Sequence, residues 1–482
     1  MRNLAALVSV SVLLAAVVSA RAQEIIRKPL AIGTKIETGQ VVKGEPIKSG
    51  DDPDKAFLSR IAVSLTQEVT VDQHLEIKTG VGGVFYTVFP DVRGNAGSQG
   101  VKFGPGITQA QAAYKFGDVE KPSAILRVGF FPYKYNPDAK NLGEYLLRSM
   151  PYPSFTTTGS WSITDAAFVR AQGIQATFFN FDGKLKHDFL LTSERDFRPT
   201  GDFTPSYLTE FTAGPFQIGA GISLFHFLPL DGDRLKSRSM GEYSVYHYDA
   251  FPAFTVNITP GTFDDTLATP VVHEAGASLT LLSSDLEALR NEHPELAGAI
   301  DSLPRDTVEY TTKGIKLMAR ASFDIQKIVP LSFLGPQDLK IYAEAALLGV
   351  ENQPGYWEKR SERVPFMVGI NLPTFKKLDV LSFEMEYYGS PLPDDQEQVL
   401  INNRPIYENY SMLTHSSDNN RHDDWKWSLY ASKTVLTGVS LRAQVANDHL
   451  RPIDQATTNF SGMTVMRNPR DWYYVVTVNF GI

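Results

Sequence analysis

His422, Asp423 and Asp424 stand in a row, with His415 seven residues earlier, and form the densest grouping of proton-handling side chains in the sequence. An imidazole beside carboxylates suits general-base hydrolysis or the capture of a cation. A polar loop yields such triplets readily, and loop is the reading taken here. His273 and Glu274 are adjacent but have no second histidine at ligand spacing, so they are read the same way. No G-x-S-x-G, H-E-x-x-H, G-x-x-x-x-G-K-S/T or G-x-G-x-x-G occurs. The chain has no cysteine, which removes thiol nucleophiles and thiolate metal sites together. The expectation is a protein that is not an enzyme, with no metal and no cofactor.

The remaining charged residues are spaced by two, and strands must therefore position them. From Ile315 to Ile325 every odd position is apolar, while Lys316, Arg320 and Asp324 fall on the even ones. A helix would scatter those charges around its circumference; a strand sends them all to one face. The same alternation sets Leu339, Ile341, Ala343 and Ala345 against Lys340, Tyr342 and Glu344. It also sets Leu381, Phe383, Met385 and Tyr387 against Ser382, Glu384 and Glu386, and Ile61, Val63 and Leu65 against Arg60, Ser64 and Thr66. Collected over the chain, the polar face carries Arg60, Lys78, Arg127, Lys184, Lys186, Lys316, Arg320, Lys340, Lys426 and Arg442. Its acidic members are Glu68, Glu76, Asp188, Glu194, Asp324, Glu344, Glu384 and Glu386.

Strands are expected at 56–70, 74–89, 107–117, 122–133, 166–180, 184–197, 205–213, 216–228, 313–326, 337–350, 363–373, 378–389, 424–434, 437–448 and 470–482. Many run to about ten residues, beyond the usual five or six, and a tilted strand of that length matches a bilayer. Gaps alternate between tight turns, such as Asp72-Gln73 and Gly214-Pro215, and long segments at 134–165, 229–312, 390–423 and 449–469. Transmembrane barrels show this asymmetry, with short periplasmic turns and long extracellular loops. Parity demands one more ascending strand before the first, and 30–42 supplies a weak alternation. The fold class is all-β, an antiparallel transmembrane β-barrel of about sixteen strands, between fourteen and eighteen because 242–258 has room for a further pair.

Residues 1–22 read as a signal peptide: Arg2 precedes an apolar run from Leu4 to Ser19, and Ala20-Arg21-Ala22 fits a cleavage site. Residues 23–55 form an N-terminal segment holding the weak first strand, and 56–482 the barrel. Within it, 231–312 reads as a long acidic loop insertion with fourteen acidic residues against five basic ones, where Ser284 to Glu287 resembles a capping box. At 21% charged residues a helical membrane bundle is excluded, and a formal charge of −8 argues against nucleic acid as partner.

At the C-terminus Trp472, Tyr474, Val476, Val478 and Phe480 alternate up to Ile482, a pattern that resembles the C-terminal β-signal of Gram-negative outer-membrane barrels, which usually end on Phe or Trp. Tyr133 and Tyr135, Tyr387 and Tyr388, Trp425 and Trp427, and Trp472 and Tyr474 fall near the expected outer rim, as an interfacial girdle would. The pattern across the mature chain resembles the general porin type. That resemblance implies residence in the outer membrane among its lipid and lipopolysaccharide, and a homotrimer. So many inward charges would be costly without water, so a wet lumen passing small hydrophilic solutes by passive diffusion is expected. The residues expected to line it are Arg60, Lys78, Arg127, Lys184, Lys186, Asp188, Lys316, Arg320, Lys340, Glu344, Glu384, Glu386, Lys426 and Arg442. Segment 134–165 follows the fifth strand, where general porins fold a constriction loop inward. Within it 141–150 reads as one or two helical turns with Glu144 and Arg148 facing each other. The alternatives are a sealed outer-membrane barrel acting as a surface-binding or structural protein, and a secreted soluble glycan-binding β-protein.

Overall fold

The computed structural model describes residues 24–44, 57–88, 102–147, 169–193, 202–225, 227–228, 240–248, 254–258, 269–273, 279–281, 305–311, 314–350, 360–389, 425–447 and 469–481. The signal-peptide reading, Arg148, the capping box and the His415 and His422–Asp424 group lie outside them.

Runs rich in β-branched and aromatic residues, alternating with polar ones, form the strands β1 (Ile25–Arg27), β2 (Ala31–Lys43), β3 (Phe57–Val71), β4 (Leu75–Val88), β5 (Lys102–Gly117) and β6 (Pro122–Tyr133). They continue as β7 (Val169–Asn180), β8 (Leu185–Ser193), β9 (Phe203–Ala213) and β10 (Phe216–Phe225). Short strands β11 (Met240–Tyr248), β12 (Phe254–Ile258), β13 (Thr269–His273), β14 (Leu279–Leu281) and β15 (Arg305–Thr311) follow. The last are β16 (Gly314–Asp324), β17 (Lys340–Leu347), β18 (Phe366–Asn371), β19 (Val380–Tyr387), β20 (Trp425–Leu436), β21 (Val439–Asn447) and β22 (Trp472–Gly481).

Strands β2 to β10 and β16 to β22 each pair antiparallel with their neighbours, and β22 returns to β2 with Gly33 opposite Gly481, so sixteen strands close a barrel. The three-residue β1 only extends the pairing along the end of β3. Closure satisfies the hydrogen-bonding groups that an open sheet edge would expose. One end carries the tight connections. Asp72 and Gln73 both take positive φ in the first of these, the backbone of a primed hairpin turn. Strands β10 and β16 are direct neighbours, with Phe225 opposite Gly314. The residues between them include two small separate sheets, β14-β11-β15 and β12-β13. The 242–258 stretch therefore contributes β11 and β12 to those sheets and no further pair to the barrel.

Side-chain exposure follows the period of two. On β16, Lys316, Met318, Arg320 and Ser322 are buried while Leu317, Ala319 and Ala321 are exposed. On β18, Met367, Gly369 and Asn371 are buried between exposed Phe366 and Val368. The polar parity thus faces inward and the apolar parity outward. An outward aromatic cluster of Phe366, Tyr387 and Trp425 sits at the loop end, with the Tyr387 and Trp425 ring centroids 4.9 Å apart.

Two expectations need correcting. Lys184 is not on a strand face: Asn180 pairs with Leu185, so 181–184 form a four-residue turn and Lys184 is exposed at the barrel end. Tyr133, Tyr135 and Tyr388 do not belong to a rim girdle, because all three are buried. Tyr133 is on the inward parity of β6 and donates to the carboxylate of Asp188 on β8.

Candidate lumen and inner loop

After β6 the chain turns into the barrel. Phe131 and Tyr133 already point inward, and 134–147 continue along the inner wall to a single 3-10 turn at Tyr145–Leu147. Gly143 at φ +79° and Glu144 at φ +58° make the bend before that turn. A Cβ at Gly143 would stand 3.2 Å from the Met367 side chain and 3.3 Å from the Glu344 carboxylate, a tight approach at a positive φ that favours glycine. The helical reading of 141–150 is thereby reduced to that one turn over its described part.

Three inward glutamates hold the loop by its backbone. Glu384 accepts from the N–H groups of Lys140, Asn141 and Leu142 at 2.5, 2.9 and 2.9 Å. Glu386 accepts from the Gly143 N–H at 3.4 Å and from the Tyr145 hydroxyl at 3.0 Å. Glu344 accepts from the Tyr145 N–H at 2.9 Å and from the Tyr135 hydroxyl and the Asn136 amide, each at 2.6 Å. Irregular backbone taken out of water must find partners, and here carboxylates on β17 and β19 provide them. Burial pushes the Tyr135 hydroxyl well above the ordinary tyrosine range, and the nearby Glu344 and Glu144 carboxylates push it the same way. It remains a donor. Apolar contacts complete the seat: Leu142, Tyr145, Leu146 and Leu147 join Met318 and Met367 in one buried cluster.

Wall glycines make room for this packing. Tyr342 lies across Gly369, where a Cβ would come within 2.2 Å of its ring. Its hydroxyl thereby donates to Glu384 at 2.8 Å, two strands away.

The residues expected to line the lumen divide into groups. Asp188, Lys316, Arg320, Glu344, Glu384, Glu386 and Lys426 are inward but buried. The glutamates serve as loop anchors, a role unforeseen from sequence. Arg320 is paired with Glu210, and Asp188 with Lys186 at 2.8 Å while accepting from Thr177 at 2.5 Å. Lys78, Arg127, Lys186, Lys340 and Arg442 are inward and partly exposed. Lys78 bridges Glu76 at 2.6 Å and Glu68 at 3.4 Å, and Arg127 donates to Gln175 at 2.7 Å. Arg60 stands opposite Glu37 in the pairing of β2 with β3. Glu144 is buried and paired with Lys134 at 3.5 Å. Asn136 and Asp138 were missed, and Tyr135 was read as a rim residue, because loop residues carry no period; Glu210 was missed although Ser206 and Glu210 share the inward parity of β9.

The class this defines is a closed antiparallel barrel of sixteen strands with a loop folded against its inner wall. The sequence matches no protein-family model, and no curated protein matches it. Among solved structures, a double-mutant porin of Rh. blastica is similar at 9% identity, covering 95% of this chain and 100% of that one, with a TM-score of 0.41. OmpF of Salmonella typhi, in complex with daunomycin, is similar at 9% identity over 94% of this chain and 97% of its own, with a TM-score of 0.42. OprB of Pseudomonas putida at high pH is similar at 10% identity over 94% of each chain, with a TM-score of 0.43.

Proposed function

We propose that this chain is an outer-membrane porin-like channel for the passive diffusion of small hydrophilic solutes, narrowed by the loop at 134–147. The observation that carries the reading is that loop's attachment to one side of the inner wall, through Glu344, Glu384 and Glu386, while other inward charges keep their exposure. Sixteen-stranded barrels are wide enough to leave an aqueous passage. An apolar outward parity beside a charged inward one suits lipid outside and water inside. In this reading Lys78, Arg127, Lys186, Lys340 and Arg442 face the water together with the carboxylates of Glu68, Glu76 and Glu210, and the mixed signs give weak ionic preference. The exported chain would meet outer-membrane lipid and lipopolysaccharide, and a homotrimer is the assembly proposed. Segment 231–312 would be an acidic insertion at the loop end.

Single-channel conductance of refolded mature protein in a planar bilayer tests this, on samples first shown by heat-modifiable gel mobility to be folded. Discrete ohmic steps with a modest cation-to-anion permeability ratio are expected. Deleting 141–150 should enlarge the steps, and unchanged conductance would remove the constriction assignment. A second reading, a sealed barrel acting as a surface-binding or structural protein, is favoured by the burial of seven expected lining residues, Asp188, Lys316, Arg320, Glu344, Glu384, Glu386 and Lys426. A folded barrel without steps would establish it.

A further inference from the structure

Between the tip of the inner loop and the tight-turn end of the barrel lies a cavity of about 370 Å³, within the size range of small-molecule sites. Lys140 reaches it from the loop, Lys327 from the segment after β16, and Lys340 from the first position of β17. Asp138 and Asp324 are the carboxylates in the lining. Each has one oxygen engaged, and the second oxygen of Asp138 is buried without a hydrogen-bond partner. Asp138 pairs with Lys340 at 2.5 Å, and Asp324 accepts from the Gln326 N–H at 3.1 Å as the cap of a 3-10 turn. Lys140 and Lys327 reach only backbone carbonyls, those of Pro137 and Gly214, each at 3.3 Å, and neither is ion-paired among the described residues. Two ammonium groups with unspent donors therefore face one small cavity, and Ser322 adds a hydroxyl to its wall.

The geometry points to a binding site for a small anionic solute bearing a carboxylate or phosphate group, held between Lys140 and Lys327 at the tight-turn mouth of the barrel. An ammonium seeks oxygen acceptors, and a charged acceptor gives about twice the strength of a neutral one. Burial, with Lys134 and Lys340 close by, holds the Lys140 ammonium below the ordinary lysine range despite Asp138 and Glu384, so an arriving anion would relieve a strained charge. The site is placed in the barrel read above as a channel, where it would detain anions at one mouth. Binding itself requires no conduction.

Equilibrium dialysis of radiolabelled inorganic phosphate, and separately of succinate, against the folded full chain in a non-ionic detergent tests it. Saturable binding of one of the two at about one site per chain is expected. Lys327→Gln, at an exposed position, and Lys140→Gln should each weaken it about ten- to a hundredfold, the range for losing a charged hydrogen bond. Lys377→Gln in the neighbouring turn should leave it unchanged. No saturable binding by a barrel with native heat-modifiable mobility would overturn the inference, and so would binding indifferent to both substitutions. Retention of calcium in place of the anions would also overturn it, by making Asp138 and Asp324 the dominant groups. Conductance measured on the same samples separates the two questions: a silent barrel that binds anions sinks only the channel, and a conducting barrel that does not bind sinks only the site.

Discussion

Glu384 holds the loop by its main chain, since three consecutive backbone N–H groups converge on it together with the Tyr342 hydroxyl of the wall. Replacing it by alanine removes the acceptor of the three backbone N–H groups, at about 1–3 kcal/mol for each group left unsatisfied, while the Tyr342 hydroxyl keeps Ser382. The barrel ladder does not depend on it. We therefore expect Glu384→Ala to keep heat-modifiable mobility while segment 134–147 becomes cleavable by added protease. A loop as resistant as in the parent chain would show that the apolar seat alone suffices. Gly369→Ala tests the same contact from the other side. Its methyl meets the Tyr342 ring, a form of overpacking that costs about 1–3 kcal/mol, and displaces the hydroxyl from Glu384. Unfolding in urea should show that loss, and Tyr342→Phe combined with Gly369→Ala should not recover it, because the clash is with the ring.

Among the connecting elements, the segment 325–339 is long for a tight-turn end, and Asp338 ties it to the next turn. Its carboxylate accepts from the Gly335 N–H at 2.8 Å, the Thr374 N–H at 3.0 Å and the Thr374 hydroxyl at 2.8 Å. Burial works against the charged form, but these donors outweigh it and hold Asp338 below the ordinary aspartate range. A depressed pKa means the folded chain holds the carboxylate charged more firmly than the unfolded chain does. The stabilisation is thus complete above the unfolded value, about 3.9, and is lost as pH falls through the folded one. The stability difference between the parent and Asp338→Asn should be present at pH 6 and shrink below about pH 4; a difference constant across that range would refute the assignment. Elements of this kind were only partly legible in the sequence. Strands and their inward faces could be read because period two repeats over many residues, and turns because Asp72-Gln73 or Gly214-Pro215 break it. The inner loop could be placed only by its position after the fifth strand. Its anchors escaped notice because Glu344, Glu384 and Glu386 lie 199 to 244 residues from the groups they bind in 140–145, a separation no local pattern reports. Lys184 went astray for a smaller reason, a turn one residue longer than read.

At the scale of the whole molecule, the proposed membrane placement stands or falls on the outward surface. Val368 is 48% exposed at mid-height, opposite Ala343 and Met385, and Leu436 is 66% exposed at the tight-turn rim. In water an arginine at either position would change stability by about 0.5 kcal/mol or less, as surface substitutions do. In a bilayer the two positions part company. Arginine at the midplane of a transmembrane barrel costs about 2–4 kcal/mol, falling to about 0–1 kcal/mol near the interface. The placement proposed above therefore predicts a steep cost for Val368→Arg and a slight one for Leu436→Arg, read from guanidinium unfolding of protein folded into phosphatidylcholine vesicles. The same pair in a non-ionic detergent micelle should show the difference reduced, because a micelle lets water reach the guanidinium. Equal and small costs in vesicles would mean that the apolar parity does not face hydrocarbon, and the membrane reading, with the channel that depends on it, would have to be given up.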